Sequence, residues 1–242
     1  MHTTLEGKRA IVTGGTRGIG FAIARQLAVA GCQVVICGRG APSVDKAVAD
    51  LTADEGAKVF GIPADVSKQE DVEALFRFAG ERFGGSLDIL INNAGIGIFK
   101  KTADLSIDDW KRVMDVNMTG TFYCTREALP RMIRAGAGYV VNISSLAGKN
   151  PFATGAAYNA SKFAMNGFSE ALMLDHRYDN VRVTYIMPGS VDTDFSPRSA
   201  QESQADWKIA SSDVADMVLA VLRMPERTMV SRIEMRPSKP RK

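Results

Sequence analysis

The stretch Lys8 to Ala30 limits the possible fold more than any other part of the chain. Residues 8–13, KRAIVT, form a short apolar run that stops at glycines, which predicts a buried strand. Thr13-Gly14-Gly15-Thr16-Arg17-Gly18-Ile19-Gly20 follows, and Phe21 to Ala30 then carries apolar residues at helical spacing. Strand, glycine turn and helix in that order are the context in which such glycines carry meaning. Without Cβ atoms the turn can tighten and let a pyrophosphate reach the backbone. The helix N-terminus then offers free N–H groups and partial positive charge to phosphates. The spacing Gly14-x3-Gly18-x-Gly20 differs from the more common Gly-x-Gly-x2-Gly, and the same glycines serve equally well as plain turn punctuation.

The pattern then repeats. Residues 32–37, CQVVIC, are apolar throughout, as a strand buried on both faces requires. An Asp or Glu after this strand would hold ribose hydroxyls and repel a 2′-phosphate. The chain has Gly38-Arg39 there, and Arg17 adds a second cation nearby. The missing acid points to NADP(H); the plain alternative is that Arg39 is a solvated loop residue. Residues 43–55 predict a helix and 57–62 a third strand, followed by Asp65-Val66-Ser67. Ser67 with Glu70 matches a capping box for a helix over 68–83. Asp65 is then placed to reach an adenine amino group, or to be a turn residue.

Residues 87–91, LDILI, predict a fourth strand, and Asn92-Asn93-Ala94-Gly95 should face a ligand beyond its carboxyl end. A helical stretch from Ser106 to Arg134 contains Asn117 and Gly120, both poor helix formers. Such a violation marks function or a close packing contact. Strands over 138–143, 181–187 and 228–234 and helices over 158–177 and 211–223 complete the alternation. It predicts a single α/β domain over 1–242: a doubly wound parallel sheet of about seven strands with helices on both faces. Residues 193–210 are polar and poorly periodic, which suggests a substrate lid.

Chemistry enters with Ser145, Tyr158 and Lys162. Tyr158 and Lys162 are i and i+4 on one helix face, and Ser145 ends the fifth strand. Reducing a carbonyl with hydride requires a proton for the developing alkoxide. A phenol supplies it if its pKa falls from about 10 toward neutrality. A lysine ammonium at roughly 4 Å, with an effective dielectric of about 20, contributes about 4 kcal/mol, or roughly 3 pKa units, as an upper bound. Ser145 could hold the substrate oxygen, Lys162 the cofactor ribose, and Asn117 a water leading to solvent.

Composition narrows the alternatives. Hydrophobic content is 45%, charged content 24% and net charge +3, too small to argue for nucleic acid. Cys32, Cys37 and Cys124 have no metal-ligand spacing and suggest buried thiols in a reducing compartment. His2 and His176 are the only histidines, so metal chemistry built on them is not expected. There is no signal-like apolar segment and no membrane-length apolar run, so a cytoplasmic location is expected. The basic tail from Arg236 reads as a solvated end.

Taken together, the motif Thr13–Gly20, Asn92–Gly95, Asn117, Ser145, Tyr158-x3-Lys162 and Pro188-Gly189 closely resemble the classical short-chain dehydrogenase/reductase family, NADP-preferring subgroup. The resemblance runs from Lys8 to about Thr193 and implies a Rossmann fold. It implies Tyr158 as general acid/base, Ser145 as substrate stabiliser, and Lys162 and Asn117 as the rest of a catalytic tetrad. Cofactor contacts implied are Gly14, Thr16, Arg17, Gly18, Ile19, Gly20, Arg39, Asp65, Val66, Asn92, Ala94, Gly95, Tyr158, Lys162, Pro188, Gly189, Val191 and Thr193. A homotetramer or homodimer, commonly joined through the Asn117 and Tyr158 helices, is also implied.

The expected activity is NADPH-dependent hydride transfer between nicotinamide and a small-molecule carbonyl or secondary alcohol. A 3-oxoacyl-(acyl-carrier-protein) reductase is the alternative within the family, although Ile233 to Pro240 lacks the Gly-rich ending usual there. A non-catalytic NADP-binding regulatory protein is the alternative of another class; such proteins often lose the Tyr or Lys that this chain keeps. Sugar-nucleotide epimerases usually need a larger C-terminal domain. Candidate pocket residues are Ile96, Phe99, Leu146, Phe152, Met187, Phe195 and Trp207. Lys100, Lys101, Lys149, Arg198 and Lys208 are candidate attractors of an acidic substrate, or scattered surface charge.

Overall fold

The computed structural model describes residues 3–53, 56–193, 195 and 207–240. Seven parallel strands form one sheet in the order β3-β2-β1-β4-β5-β6-β7. They are β1 (Arg9–Thr13), β2 (Gln33–Gly38), β3 (Lys58–Pro63), β4 (Ile89–Asn92), β5 (Gly138–Ile143), β6 (Val181–Pro188) and β7 (Arg232–Met235). The helices are α1 (Gly18–Val29), α2 (Ala41–Leu51), α3 (Gln69–Phe83), α4 (Ile107–Met114), α5 (Gly120–Ala135), α6 (Ala156–His176) and α7 (Ser211–Leu222). The expected doubly wound α/β architecture is thus present. None of the helices among the described residues is long and apolar enough to cross a membrane.

Side chains alternate across the sheet. Ala10, Val12, Val34 and Ile36 point to one face, where α1, α2 and α7 cover them. Ile11, Val35, Cys37 and Leu90 point to the other, under α3, α5 and α6. Both faces are apolar because both are covered, which is why the strand sequences do not alternate. Each fully buried Leu or Ile contributes about 1.5–3 kcal/mol relative to exposure. Cys32, Cys37 and Cys124 are buried free thiols. Burial pushes the Cys32 thiol up to about 12 and the Cys37 thiol up to about 11, so neither is reactive.

Chain order runs outward from β1 to β3, then returns to β4 on the other side of β1. The switch point therefore lies between the carboxyl ends of β1 and β4. Thr13 ties these ends together: its hydroxyl accepts from the Asn93 and Ala94 N–H groups, each at 3.0 Å. At the opposite end Asp88 accepts from the Arg9 N–H at 2.9 Å and from Arg9 Nε at 2.6 Å. Burial alone would raise this carboxyl, but the Arg9 bonds and the charges of Lys8 and Arg9 prevail and hold it below its usual range.

Three local expectations are corrected. Lys68, not Ser67, precedes α3, and no side chain caps that helix. Ser67 instead donates through its hydroxyl to Asp65 Oδ1 at 2.7 Å, because the Asp65 turn claims it first. The helix expected over 106–134 is interrupted by a π-helical turn, Asp115–Thr119, with Asn117 at its middle. The tail is not simply solvated: the Gly189 N–H donates to the Met235 carbonyl at 2.8 Å, which leads Arg236 and Pro237 back over the sheet.

Candidate active site

A cleft of about 980 Å³ opens along the carboxyl ends of β1 to β6. Of the expected residues, Gly14, Thr16, Arg17, Gly18, Ile19, Arg39, Asp65, Val66, Ala94, Gly95, Ser145, Tyr158, Lys162, Pro188, Gly189, Val191 and Thr193 line it. Gly20, Asn92 and Asn117 stand behind its wall.

The turn after β1 is built by close approach. Gly14 has φ 64°, and a Cβ there would lie 3.0 Å from the Ala94 Cα. A Cβ on Gly20 would lie 2.3 Å from the Gly14 carbonyl, so this glycine lets α1 pack against the turn instead of contacting a ligand. No side chain caps α1, whose first N–H groups open toward the cleft. The amino end of α2 is likewise uncapped and brings Gly40 and Ser43 to the cleft beside Arg39. The helix starts at Ala41, two residues earlier than its periodicity suggests, because Pro42 is readily accepted in a first turn. Arg17 and Arg39 are both exposed. Uncapped N-termini, glycines that admit a backbone-hugging ligand, and two exposed cations with Gly38-Arg39 in place of an acid directly after β2 fit a dinucleotide with a 2′-phosphate.

Asn92 corrects an expectation. It is 2% exposed, and its amide donates to Thr125 Oγ1 at 3.1 Å and Asn142 Oδ1 at 2.9 Å. The residue that reaches the cleft is Asn93, whose amide donates to the Thr13 and Gly14 carbonyls at 3.0 and 3.1 Å. Alternation at the strand end was the missed signal: a residue that points into the sheet layer cannot also face the ligand.

Asn117 is fully buried and both of its amide N–H groups are bonded. Oδ1 accepts from the Ile96 N–H at 2.8 Å; Nδ2 donates to the Ile96 carbonyl and to Ser161 Oγ, both at 2.9 Å. Ser161 Oγ in turn donates to the Tyr158 carbonyl at 2.8 Å. The chain of bonds fixes the 95–97 loop against the start of α6. Gly120 has its own reason: a Cβ there would come within 2.8 Å of Val66, so its absence lets α5 back the cleft wall.

Lys162 lies under Tyr158. Its ammonium donates to the Ile143 carbonyl at 2.9 Å and sits 5.8 Å from the centre of the Tyr158 ring. Burial pushes the lysine down to about 8. Burial also raises the Tyr158 phenol, and the neighbouring Ser145 hydroxyl pulls it partly back. The phenol does not shift down as the lysine's attraction alone predicts, because enclosure moves both groups toward their neutral forms. Ser145 Oγ accepts from the Ala147 N–H at 3.1 Å, which leaves its own proton free to donate.

Ile96, Phe99, Leu146, Phe152, Phe195 and Trp207 line the cleft as expected; Met187 is buried, and its sulfur faces Asn166 Nδ2 at 3.4 Å. Arg236, Pro237 and Pro240 also line it and had no signal in a tail rich in charge and proline. Among the candidate cations only Lys208 lines the cleft. Lys100 pairs with Asp109 at 2.6 Å and Lys149 pairs with Glu234, while Arg198 lies outside the described residues, as does most of the expected 193–210 lid.

Residues 8–204 match the short chain dehydrogenase family, and the chain belongs to it. An uncharacterized oxidoreductase of Staphylococcus aureus strain MRSA252 is 37% identical over 236 residues, covering 97% of this chain and 99% of that one. Bovine dehydrogenase/reductase SDR family member 4 is 42% identical over 193 residues, covering 79% of this chain and 68% of that one. Among solved structures, an alcohol dehydrogenase from the archaeon Thermococcus sibiricus, complexed with 5-hydroxy-NADP, superposes with TM-score 0.88 at 30% identity, covering 98% and 99% of the two chains. A metagenomic short-chain oxidoreductase in complex with NADP gives 0.85 at 31%, covering 98% and 100%. The protein is an oxidoreductase of this family.

Proposed function

We propose that the protein is an NADPH-dependent carbonyl reductase, acting reversibly on a secondary alcohol. The observation that carries this reading is the convergence of Ser145, Tyr158 and Lys162 on one cleft, with the buried Lys162 ammonium 5.8 Å from the centre of the Tyr158 ring. The 5-hydroxy-NADP and NADP carried by the two structural neighbours, together with Arg17 and Arg39, support the cofactor choice. When bound, NADPH supplies a hydride to the carbonyl carbon.

The chain's own residues handle the oxygen. Ser145 donates to the carbonyl oxygen and orients it. Tyr158 gives its proton to the same oxygen, and the product is the secondary alcohol. A phenol raised by burial stays protonated at neutral pH, which suits reduction. Lys162, charged below about 8, stabilises the phenolate left behind. Asn117 acts as a positioning residue through Ile96 and Ser161. Phe122 and Ile133 on α5 and Phe163 on α6 are 40–46% exposed, which supports a homo-oligomer joined through these helices.

The test is NADPH oxidation across a ketone panel. Tyr158→Phe should lower kcat by about 10²–10⁴-fold, the usual contribution of a general acid, with NADPH affinity retained. Turnover equal to the wild type would overturn the assignment.

A further inference from the structure

The reacting tyrosine sits among aromatic rings. Phe99 meets the Tyr158 ring edge-on at 5.7 Å and 77°. Phe195 lies 5.6 Å from it at 53°, and Phe152 6.3 Å at 49°. Phe99 and Phe152 also contact each other at 5.7 Å. All four rings line the cleft. Phe152 remains 46% exposed and Phe195 41%, a large apolar surface turned to water beside a polar reacting pair. Exposed apolar surface concentrated in one cleft marks a ligand contact.

The arrangement is built in several independent ways. Gly97 needs no special backbone, but a Cβ there would lie 2.4 Å from Phe99 Cζ and 3.0 Å from Phe195 Cε1. Its missing side chain is what lets these two rings converge. The loops carrying Phe99 and Phe152 are stitched together by the Lys100 N–H, which donates to the Thr154 carbonyl at 2.8 Å, and by a parallel bridge from Lys100 to Gly155. Thr154 holds the left-handed conformation at φ 66°, a local strain kept where that loop turns. Asn159 Nδ2 fixes the Phe152 carbonyl at 2.9 Å.

We infer that these rings form a box for aryl ketones, in which the aromatic ring is bonded directly to the reacting carbonyl. The inference rests on the reductase reading above and names its substrate class. The carbonyl oxygen must meet the Tyr158 and Ser145 hydroxyls. The phenyl walls begin at the Tyr158 ring itself, so the apolar part of the substrate must start at the carbonyl carbon. Aromatic rings at tilted and edge-on angles, with centroids 4.5–7 Å apart, attract each other beyond simple burial, and a planar ring fits that geometry where a saturated one does not. The ketone takes a hydride from NADPH and a proton from Tyr158, giving the 1-aryl alcohol and NADP⁺.

The test compares acetophenone, cyclohexyl methyl ketone and 2-octanone at saturating NADPH. Wild type should show kcat/KM about tenfold higher for acetophenone than for cyclohexyl methyl ketone, which has similar bulk and no π system. Phe152→Leu and Phe99→Leu should each lower that ratio about fivefold, with melting temperatures confirming folded protein. Turnover of the two saturated ketones without an aryl preference, or equal losses on all three in both variants, overturns the box and leaves the reductase reading intact. No turnover of any ketone by a protein that binds NADPH overturns the reductase reading and the box with it.

Discussion

At the residue scale, Lys162 and Tyr158 show how enclosure sets the chemistry. Burial lowers the lysine from 10.5 to about 8, so it carries its charge below that pH and loses it above. In the proposed reaction the ammonium stabilises the phenolate formed when Tyr158 gives up its proton. Ketone reduction should therefore decline as pH rises through about 8, approaching tenfold per unit, and a profile of kcat from pH 6 to 10 checks this. A flat profile across that range would contradict the role of Lys162. Arg39 makes a separate case. It lines the cleft directly after β2, the position where an acid would repel a 2′-phosphate. Replacing a charge-assisted contact of about 1.5–3 kcal/mol by repulsion predicts that Arg39→Asp lowers the NADPH-to-NADH preference about a hundredfold. Steady-state kinetics with both cofactors measure it, and an unchanged preference would refute it.

Elements decide what single residues cannot. Ser145, Tyr158 and Lys162 were legible because i, i+4 spacing on a helix and a strand end are local facts. Asn117 was legible as an anomaly, but its partners were not. The π-helical turn carries its amide to Ile96, 21 residues away, and to Ser161, 44 away. The C-terminal segment had the least signal. Its charges and prolines describe a solvated end, yet pairing of β7 with β6 aims it across the cleft, where Pro237 and Pro240 form part of the wall. A Cβ on Gly189 would lie 3.1 Å from both Pro237 Cδ and Leu146 Cδ1, so the segment packs close to Leu146, the residue after Ser145. Ending the chain after Arg236 should remove about 1 kcal/mol of apolar contact and raise the ketone KM about fivefold. A ketone KM equal to that of the full chain would show that this segment does not touch the substrate.

For the whole molecule, the sheet order brings the site together. Six successive strand ends, spread over residues 13 to 188, line one cleft because all seven strands are parallel. The parallel, doubly wound arrangement was expected from alternation, since a crossover helix between parallel strands is the only economical way to cover both faces. The chain's own sequence settles the strand and helix order, the glycine turn and the Ser145, Tyr158 and Lys162 set, because each depends on neighbours within a few residues. Tertiary structure alone decides that Asn92 serves the sheet while Asn93 faces the cleft, that burial raises the Tyr158 phenol, and that Gly97 makes room for Phe99 and Phe195. Each of these depends on what a distant segment places within a few ångströms, and no local pattern records that.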